Sequence, residues 1–213
     1  MLKLYDYFRS SASYRVRIAL NLKEIDYESI PIHLVNQGGE QFSPDYQSIN
    51  PMSLVPSLDD HGRILTQSLA IIEYLDEMHP QPALLPTDPY EKACVRAFSY
   101  SIAADIHPIN NLRILKYLTG ELQLSEEQKV KWIQHWIGIG FTALENSVAM
   151  QQNTTEFAFG NTPTLADICL VPQMFHAQRF HCDLSAYPNL RRINDNCQKL
   201  TAFLQASPKE TDN

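Results

Sequence analysis

Two adjacent serines, Ser10 and Ser11, lie between an extended aromatic stretch and a helical pattern in YFRSSASYRVRIAL, residues 7–20. A serine at a helix start accepts hydrogen bonds from backbone N–H groups of the first turn, so a local cap is one interpretation. The same N–H groups, together with the helix dipole, also favour an anion. The junction is therefore a candidate site for a negatively charged ligand group.

A second serine-bearing helix start follows a predicted strand at Gln67 and Ser68. Capping and anion binding are again the two alternatives. Two such helix starts in one small domain would suit a ligand that carries a thiolate and a separate carboxylate.

The segment SLVPSL, residues 53–58, places the Val55–Pro56 bond where a strand begins. A trans proline at a strand edge is one interpretation. A cis bond would instead turn the Val55 backbone N–H and C=O outward, where they can pair with an extended peptide ligand.

Two further motifs lie in the second half of the chain. In DIHPINNLRIL (105–115), polar side chains interrupt an apolar helix, and a polar kink at Pro108 is the alternative to a functional role. In TPTLADICLVP (162–172), Thr164 and Asp167 form a capping-box pattern before an apolar run. We interpret that pattern as structural, the start of a core helix.

Composition and missing motifs exclude several classes of protein. The chain has 213 residues, a formal net charge of −7 and only seven glycines. An acidic chain argues against nucleic acid as a partner, and the GxGxxG and GKS/GKT phosphate-binding motifs are absent from the sequence. No apolar run is long enough for a membrane span, and the four cysteines and seven histidines are too scattered for a metal site. We expect a reduced, cytoplasmic protein with free thiols, because no export signal is recognisable.

The candidate residues must be positioned by two different kinds of domain. Short strand patterns and two helical patterns give the order β-α-β, a long loop, then β-β-α. The strand patterns cover 2–7, 27–32, 55–60 and 63–66, and the helical patterns cover 13–24 and 67–79. Four prolines in 79–89 mark a linker, and the helical patterns 90–118, 126–150, one from 162 and 189–204 follow it. We predict a thioredoxin-like α/β domain at 1–79, a proline-rich linker at 80–89 and an all-helical domain at 90–213.

Six separated motifs together resemble the zeta-class glutathione transferases, the family that includes maleylacetoacetate and maleylpyruvate isomerases. They are YFRSSASYRVRIAL, NPMSLVPSL, QSLAIIEYLDE, LLPTDP, DIHPINNLRIL and TPTLADICLVPQ, in the expected order. The resemblance implies a glutathione-binding thioredoxin-like domain, a helical second domain, glutathione as the cofactor and a homodimer.

The resemblance also implies roles for individual residues. The hydroxyls of Ser10 and Ser11 would face the glutathione sulfur, and Val55 would pair with the backbone of the peptide. The full set implied to contact glutathione is Ser10, Ser11, Ala12, Arg15, Gln41, Val55, Gln67, Ser68, His107, Asn111, Leu112 and Arg113. Ala12 stands where the family often has cysteine, so the thiol must come from glutathione itself. His107 stands where some relatives carry glutamine, and either side chain can hydrogen-bond a ligand.

The activity that the resemblance implies is the glutathione-dependent cis–trans isomerisation of maleylacetoacetate to fumarylacetoacetate, a step of tyrosine degradation. The catalytic residues would be Ser10, Ser11, Arg9 and Arg15. The two carboxylates of the substrate would be bound by Arg9, Arg113 and Arg179, because the arginine fork binds a carboxylate through two hydrogen bonds. The alternatives are a maleylpyruvate isomerase, a general glutathione transferase or dehalogenase of α-halo acids, and a non-catalytic binding protein of the same fold.

Overall fold

The computed structural model describes residues 1–151 and 154–209, which fall into two units. The first unit combines Met1–Ala83 with the C-terminal stretch from Lys199 onward, and the second is Leu84–Gln198. In the described part of the chain, no helix is long and apolar enough to cross a membrane.

The first unit is built on a four-stranded sheet in the order β2-β1-β3-β4. Strand β1 runs parallel to β2 and antiparallel to β3, and β4 is antiparallel to β3. The elements of this unit are β1 Leu2–Asp6, α1 Ser11–Leu22, β2 Tyr27–Pro31, α2 Pro44–Ile49, β3 Ser57–Asp60, β4 Arg63–Thr66, α3 Ser68–Met78 and α10 Thr201–Ala206, with 3₁₀ turns at Asn36–Gly38 and Glu40–Phe42. This arrangement confirms the predicted thioredoxin-like fold class and the order β-α-β, β-β-α.

Helix α1 is the central helix of the first unit, in contact with both α3 and α10. Its side chains Val16, Ile18 and Leu20 are fully buried. Burial of aliphatic side chains contributes roughly 1.5–3 kcal/mol each, so the helix is held firmly and its first turn is a rigid support.

The C-terminal end corrects the predicted extent of the helical domain, 90–213, and of its last helix, 189–204. Helix α9 ends at Cys197, and the separate helix α10 packs on α1 of the first unit. The Arg17 guanidinium donates to the Ala206 carbonyl at 2.9 Å, and the Asn21 amide donates to the Ala202 carbonyl at 3.0 Å. The Ala206 carbonyl is one of the last four of α10, which a helix leaves without an intrahelical partner. Residues 210–213, at the end of the predicted domain, lie outside the described residues.

The second unit is mostly helical, as expected. Its helices are α4 Pro89–Tyr100, α5 His107–Ile109, α6 Leu112–Gly120, α7 Glu126–Ala149, α8 Leu165–Arg179 and α9 Pro188–Cys197, with a π-helical turn at Ser101–Ile106 between α4 and α5. The stripe predicted along 126–150 is confirmed, since Ile133, Ile137, Phe141 and Leu144 are all buried. A capping box between Ser125 and Gln128 fixes the start of α7.

A polar kink at Pro108 was the alternative to a functional role for this segment, and the helix is irregular on both sides of Pro108. Pro108 has no N–H to donate to the preceding helical turn, and Ala104, four residues before it, lies in the π-helical turn that leads directly into α5. The helical path changes earlier, in the π-helical turn, and breaks later, at Asn110 and Asn111. The Asn111 side chain restarts the helix by accepting hydrogen bonds from Arg113 N–H at 3.1 Å and Ile114 N–H at 3.4 Å.

Candidate active site

The first turn of α1 holds the two serines in different environments. Ser10 is the N-cap residue, and its Oγ accepts from Ser13 N–H at 3.2 Å. Ser11 is 6% exposed, and its hydroxyl and backbone N–H bond to no group within the described residues. Both sequence-based interpretations are therefore compatible with the structure, because one serine caps the helix and the other leaves its donors available.

The start of α3 differs from the prediction. Gln67, rather than Ser68, is the N-cap residue, and its side chain does not cap the helix. The Gln67 backbone has φ 71°, a conformation that non-glycine residues adopt at a cost of order 1–3 kcal/mol and that clusters at ligand sites. Ser68 is the first helical residue, and the interpretation of its hydroxyl as a cap is wrong.

Arg15 connects the two helix starts within the first unit. It is 1% exposed, and its Nη1 donates to Ser68 Oγ at 3.3 Å. The structure places it under α3, where its permanent positive charge lies beside Ser68 and adds to the positive potential of the α3 N-terminus.

The segment before Val55 is fixed by side chains that the sequence patterns did not reveal. The Val55–Pro56 bond is cis, and the Val55 side chain packs in a cluster with Tyr7 and Tyr46. Tyr46 Oη and Asn50 Nδ2 both donate to the Leu54 carbonyl at 2.7 Å. The Val55 backbone N–H and C=O hydrogen-bond to none of the residues that the structure describes, so they are available to an extended ligand.

Gln41 lies on the 3₁₀ turn Glu40–Phe42 and is 5% exposed. Its Nε2 donates to the Leu34 carbonyl at 3.4 Å, and its Oε1 is buried without a partner among the described residues. Gly39, with φ 116°, makes room for this side chain, because a Cβ there would lie 2.5 Å from Gln41 Oε1. Gly39 is the feature of the sequence that could have indicated a buried side chain at Gln41.

Two more residues named from the sequence lie next to the first turn of α1. Arg9 is exposed, and its guanidinium lies 4.8 Å above the Phe8 ring. Ala12 is partly exposed in the first turn of α1 and presents a methyl group where a cysteine would present a thiol.

The second unit brings four of its predicted residues together at one junction between helices. His107 begins α5, Asn111 caps α6, and Leu112 and Arg113 form the first turn of α6. The Asn111 Oδ1 is already engaged by the cap, so only its Nδ2 is left to donate to a ligand. Arg179 is not part of this junction. It is the exposed last residue of α8, with its guanidinium 5.5 Å above the Phe180 ring.

The capping box at the start of α8 is confirmed as structural. Asp167 Oδ2 accepts from Thr164 N–H at 2.8 Å and from Thr164 Oγ1 at 3.0 Å, and Oδ1 accepts from Ala158 N–H at 2.8 Å. Burial raises the pKa of Asp167 to about 6, although the hydrogen bonds from these three donors lower it.

The cysteines of the chain are free thiols, and burial raises the pKa of Cys182 and of Cys197. These two are therefore protonated at neutral pH and poor nucleophiles. Within the described ranges, no group of three or more His, Cys, Asp or Glu side chains is arranged to hold a metal ion.

Comparison with known proteins identifies the family of this chain. Residues 4–83 match the model of the glutathione S-transferase N-terminal domain family. A probable maleylacetoacetate isomerase of Vibrio cholerae serotype O1 is 50% identical over 206 residues, which cover 97% of this chain and 95% of that protein. The holo structure of a bacterial zeta-class maleylpyruvate isomerase has a TM-score of 0.94 at 45% identity and covers 97% of this chain and 96% of its own.

A third relative is a maleylacetoacetate isomerase from Anaeromyxobacter dehalogenans 2CP-1, solved with dicarboxyethyl glutathione and citrate in its active site. It has a TM-score of 0.84 at 39% identity and covers 98% of this chain and 91% of its own. The chain belongs to the zeta class of the glutathione transferase family.

Proposed function

We propose that this protein is a glutathione-dependent cis–trans isomerase that converts maleylacetoacetate to fumarylacetoacetate. The observation that carries the proposal is the available Ser11 hydroxyl at the first turn of α1, in a chain 50% identical to a probable maleylacetoacetate isomerase. Glutathione, when bound, supplies a thiolate that adds reversibly to the substrate double bond and so permits rotation about it.

The first turn of α1 is suited to hold that thiolate. A free thiol has a pKa of about 8.5, so only a few per cent is ionised at neutral pH. Lowering this pKa by about two units requires roughly 2.7 kcal/mol. The Ser11 hydroxyl is available, and the Ser10 hydroxyl can donate its hydrogen while Oγ accepts from Ser13 N–H. Two charge-assisted hydrogen bonds of roughly 1.5 kcal/mol each suffice.

The backbone and the γ-glutamyl end of glutathione have candidate binding partners on the same unit. The Val55 N–H and C=O suit its backbone, and the α3 start with Gln67, Ser68 and the buried Arg15 suits its γ-glutamyl carboxylate. Gln41 carries a buried oxygen that lacks a partner among the described residues, as expected of a group that receives a donor from the ligand.

The substrate carboxylates are assigned to arginines, because a guanidinium binds a carboxylate in two parallel hydrogen bonds. Arg9 supplies one such group on the first unit, and Arg113 and Arg179 supply two on the second. His107, Asn111 and Leu112 complete the proposed set of ligand contacts, with His107 as a hydrogen-bonding group.

Maleylpyruvate isomerase activity is the second candidate. It is favoured by the likeness to the zeta-class maleylpyruvate isomerase, at a TM-score of 0.94. The two substrates differ by one methylene group, and one methylene is worth only about 1–3 kcal/mol of discrimination in a pocket. We also propose a homodimeric, cytoplasmic protein that acts in tyrosine degradation, for which sedimentation analysis of the purified chain tests the dimer.

The test is the isomerisation of maleylacetoacetate and of maleylpyruvate, followed by ultraviolet absorbance with and without glutathione. We expect turnover that depends strictly on glutathione and prefers maleylacetoacetate. Preference for maleylpyruvate would select the second candidate. Glutathione binding without turnover of either substrate would contradict both.

A further inference from the structure

Helix α8 carries polar side chains at three successive turns, Gln173, His176 and Arg179. Residues three apart lie next to each other on a helix surface, about 5–6 Å between Cβ atoms. Their burial changes along the row, because Gln173 is 1% exposed, His176 is partly exposed and Arg179 is exposed. The row therefore leads from the surface into the interior of the second unit.

The inner two members of this row carry side-chain atoms that have no hydrogen-bond partner among the described residues. Both amide atoms of Gln173 and Nε2 of His176 are buried, and none of them bonds to a group in the described ranges. A buried polar group left unsatisfied costs roughly 1–3 kcal/mol, and native proteins leave few of them. Two adjacent residues with this property indicate a place where a polar ligand atom or a water molecule completes the hydrogen bonds.

The charge state of the pair defines which ligand atoms it suits. Burial, aided by the charge of Arg179, lowers the pKa of His176 to about 4, so the imidazole is neutral at neutral pH. An amide and a neutral imidazole suit a ketone or hydroxyl oxygen, whereas a carboxylate is better served by a cation. Arg179 supplies that cation beside them, since the His176 ring and the Arg179 guanidinium both lie against Phe180, at 4.9 and 5.5 Å.

We propose that Gln173 and His176 bind a ketone oxygen of the keto-acid substrate whose terminal carboxylate is bound by Arg179. The inference rests on the proposed function, because a linear keto dicarboxylate has a carboxylate at its end and ketone oxygens further in, in the same order as the row. Gln173 and His176 therefore join the arginines as specificity-determining residues, and α8 binds both a ketone oxygen and a carboxylate of the substrate.

The test compares two unreactive ligands that differ in one atom group, 3-oxoglutarate and glutarate, by calorimetry in the presence of glutathione. The ketone of the first replaces a methylene of the second, and both have two carboxylates. We expect the wild-type protein to bind 3-oxoglutarate about tenfold more tightly, as one added hydrogen bond of about 1.4 kcal/mol predicts. The variants Gln173→Met and His176→Leu should each reduce the preference severalfold and leave glutarate affinity unchanged.

Gln178→Met is the matched control, because Gln178 is an exposed glutamine on the same helix. It should keep the tenfold preference. If the variant Gln173→Met folds poorly, the variant His176→Leu provides the test, since His176 is partly exposed. No preference in the wild type, or an unchanged preference in both variants, would overturn the inference and leave only water at these groups. A ketone preference in a protein that isomerises neither keto acid would contradict the proposed function instead.

Discussion

Helices α1 and α8 both begin at a hydroxyl residue, but the polar groups of their first turns have different partners. At α8, Thr164 and Asp167 bond to each other, Asp167 Oδ1 also accepts from Ala158 N–H, and Asp167 is fully buried. At α1, Ser10 caps the helix while the Ser11 hydroxyl and N–H find no partner among the described residues. A helix start whose donors are satisfied internally stabilises the fold, and one with available donors can bind an anion.

The difference follows from what each first turn contains. In α8 the acid at the fourth position of the capping box returns to the cap N–H, so the chain carries its own anion. In α1 the first turn has no acidic residue. In the proposed function, the negative charge that would complete this turn is supplied by the glutathione thiolate.

The change Ser11→Ala should have the largest effect on activity. We expect kcat to fall about tenfold, because one charge-assisted hydrogen bond of roughly 1.5 kcal/mol to the thiolate is lost, while the free energy of unfolding changes by less than about 0.5 kcal/mol. Steady-state kinetics and urea unfolding of the same preparation measure both quantities. Unchanged turnover would remove Ser11 from the proposed mechanism.

The change Asp167→Asn should show the opposite pattern. The amide NH₂ of asparagine must face one of the N–H donors that the carboxylate accepts from, so the unfolding free energy should fall by about 3 kcal/mol. Turnover per folded molecule should stay within about twofold of the wild type. A large loss of kcat at full folding would mean that the two helix starts are not functionally distinct.

The strands and the first helices were predictable from local patterns, because turn residues and apolar periodicity mark them. Strand β4 has the predicted bounds, 63–66, and α7 ends one residue before its predicted end. Helix α2 was missed although Ser43 caps it and Pro44 opens it, since six residues carry too little periodicity.

Other features depend on contacts between distant residues and leave no local pattern. The π-helical turn Ser101–Ile106 packs Ile106 against Gly140 of α7, where a Cβ would lie 2.2 Å from Ile106 Cδ1. In the site, Ser11 was predictable from its local sequence motif. The hydrogen bond from Arg15 to Ser68 was not, because it joins residues 53 positions apart. The Gln173 amide, which has no hydrogen-bond partner in the described part of the chain, was likewise visible only once the burial of α8 was known.

The pH dependence of stability separates Asp167 from His176. The pKa of Asp167 is raised from 3.8 to about 6, so the folded state holds its proton more tightly and stability falls as pH rises from 4 to 6. The pKa of His176 is lowered from 6.5 to about 4, so stability rises with pH over the same range. The two slopes, about 1.4 kcal/mol per pH unit each, oppose one another.

Relative to the wild type, Asp167→Asn should therefore gain stability as pH rises from 4 to 6, and His176→Asn should lose it. Urea unfolding across this pH range measures both differences. Parallel curves for the two variants would show that neither group titrates as described.

The helix-capping residues Ser10 and Thr164 give the smallest expected effects and the most closely matched pair of variants. Ser10→Ala and Thr164→Ala each remove a side-chain acceptor from a first-turn N–H and should each cost about 1 kcal/mol of stability. Only Ser10→Ala should also weaken glutathione binding, measured by calorimetry. Equal glutathione affinity in both variants would limit the role of Ser10 to capping.

The most direct test of the anion-binding role of α1 is the pKa of the glutathione thiol when bound, followed by the ultraviolet absorbance of the thiolate against pH. The account predicts a value about two units below that of free glutathione in the wild type, and a return about halfway to the free value in Ser11→Ala, which loses one of the two hydrogen bonds. A bound thiol with the pKa of free glutathione in the wild type, or an equally lowered pKa in Ser11→Ala, would contradict it.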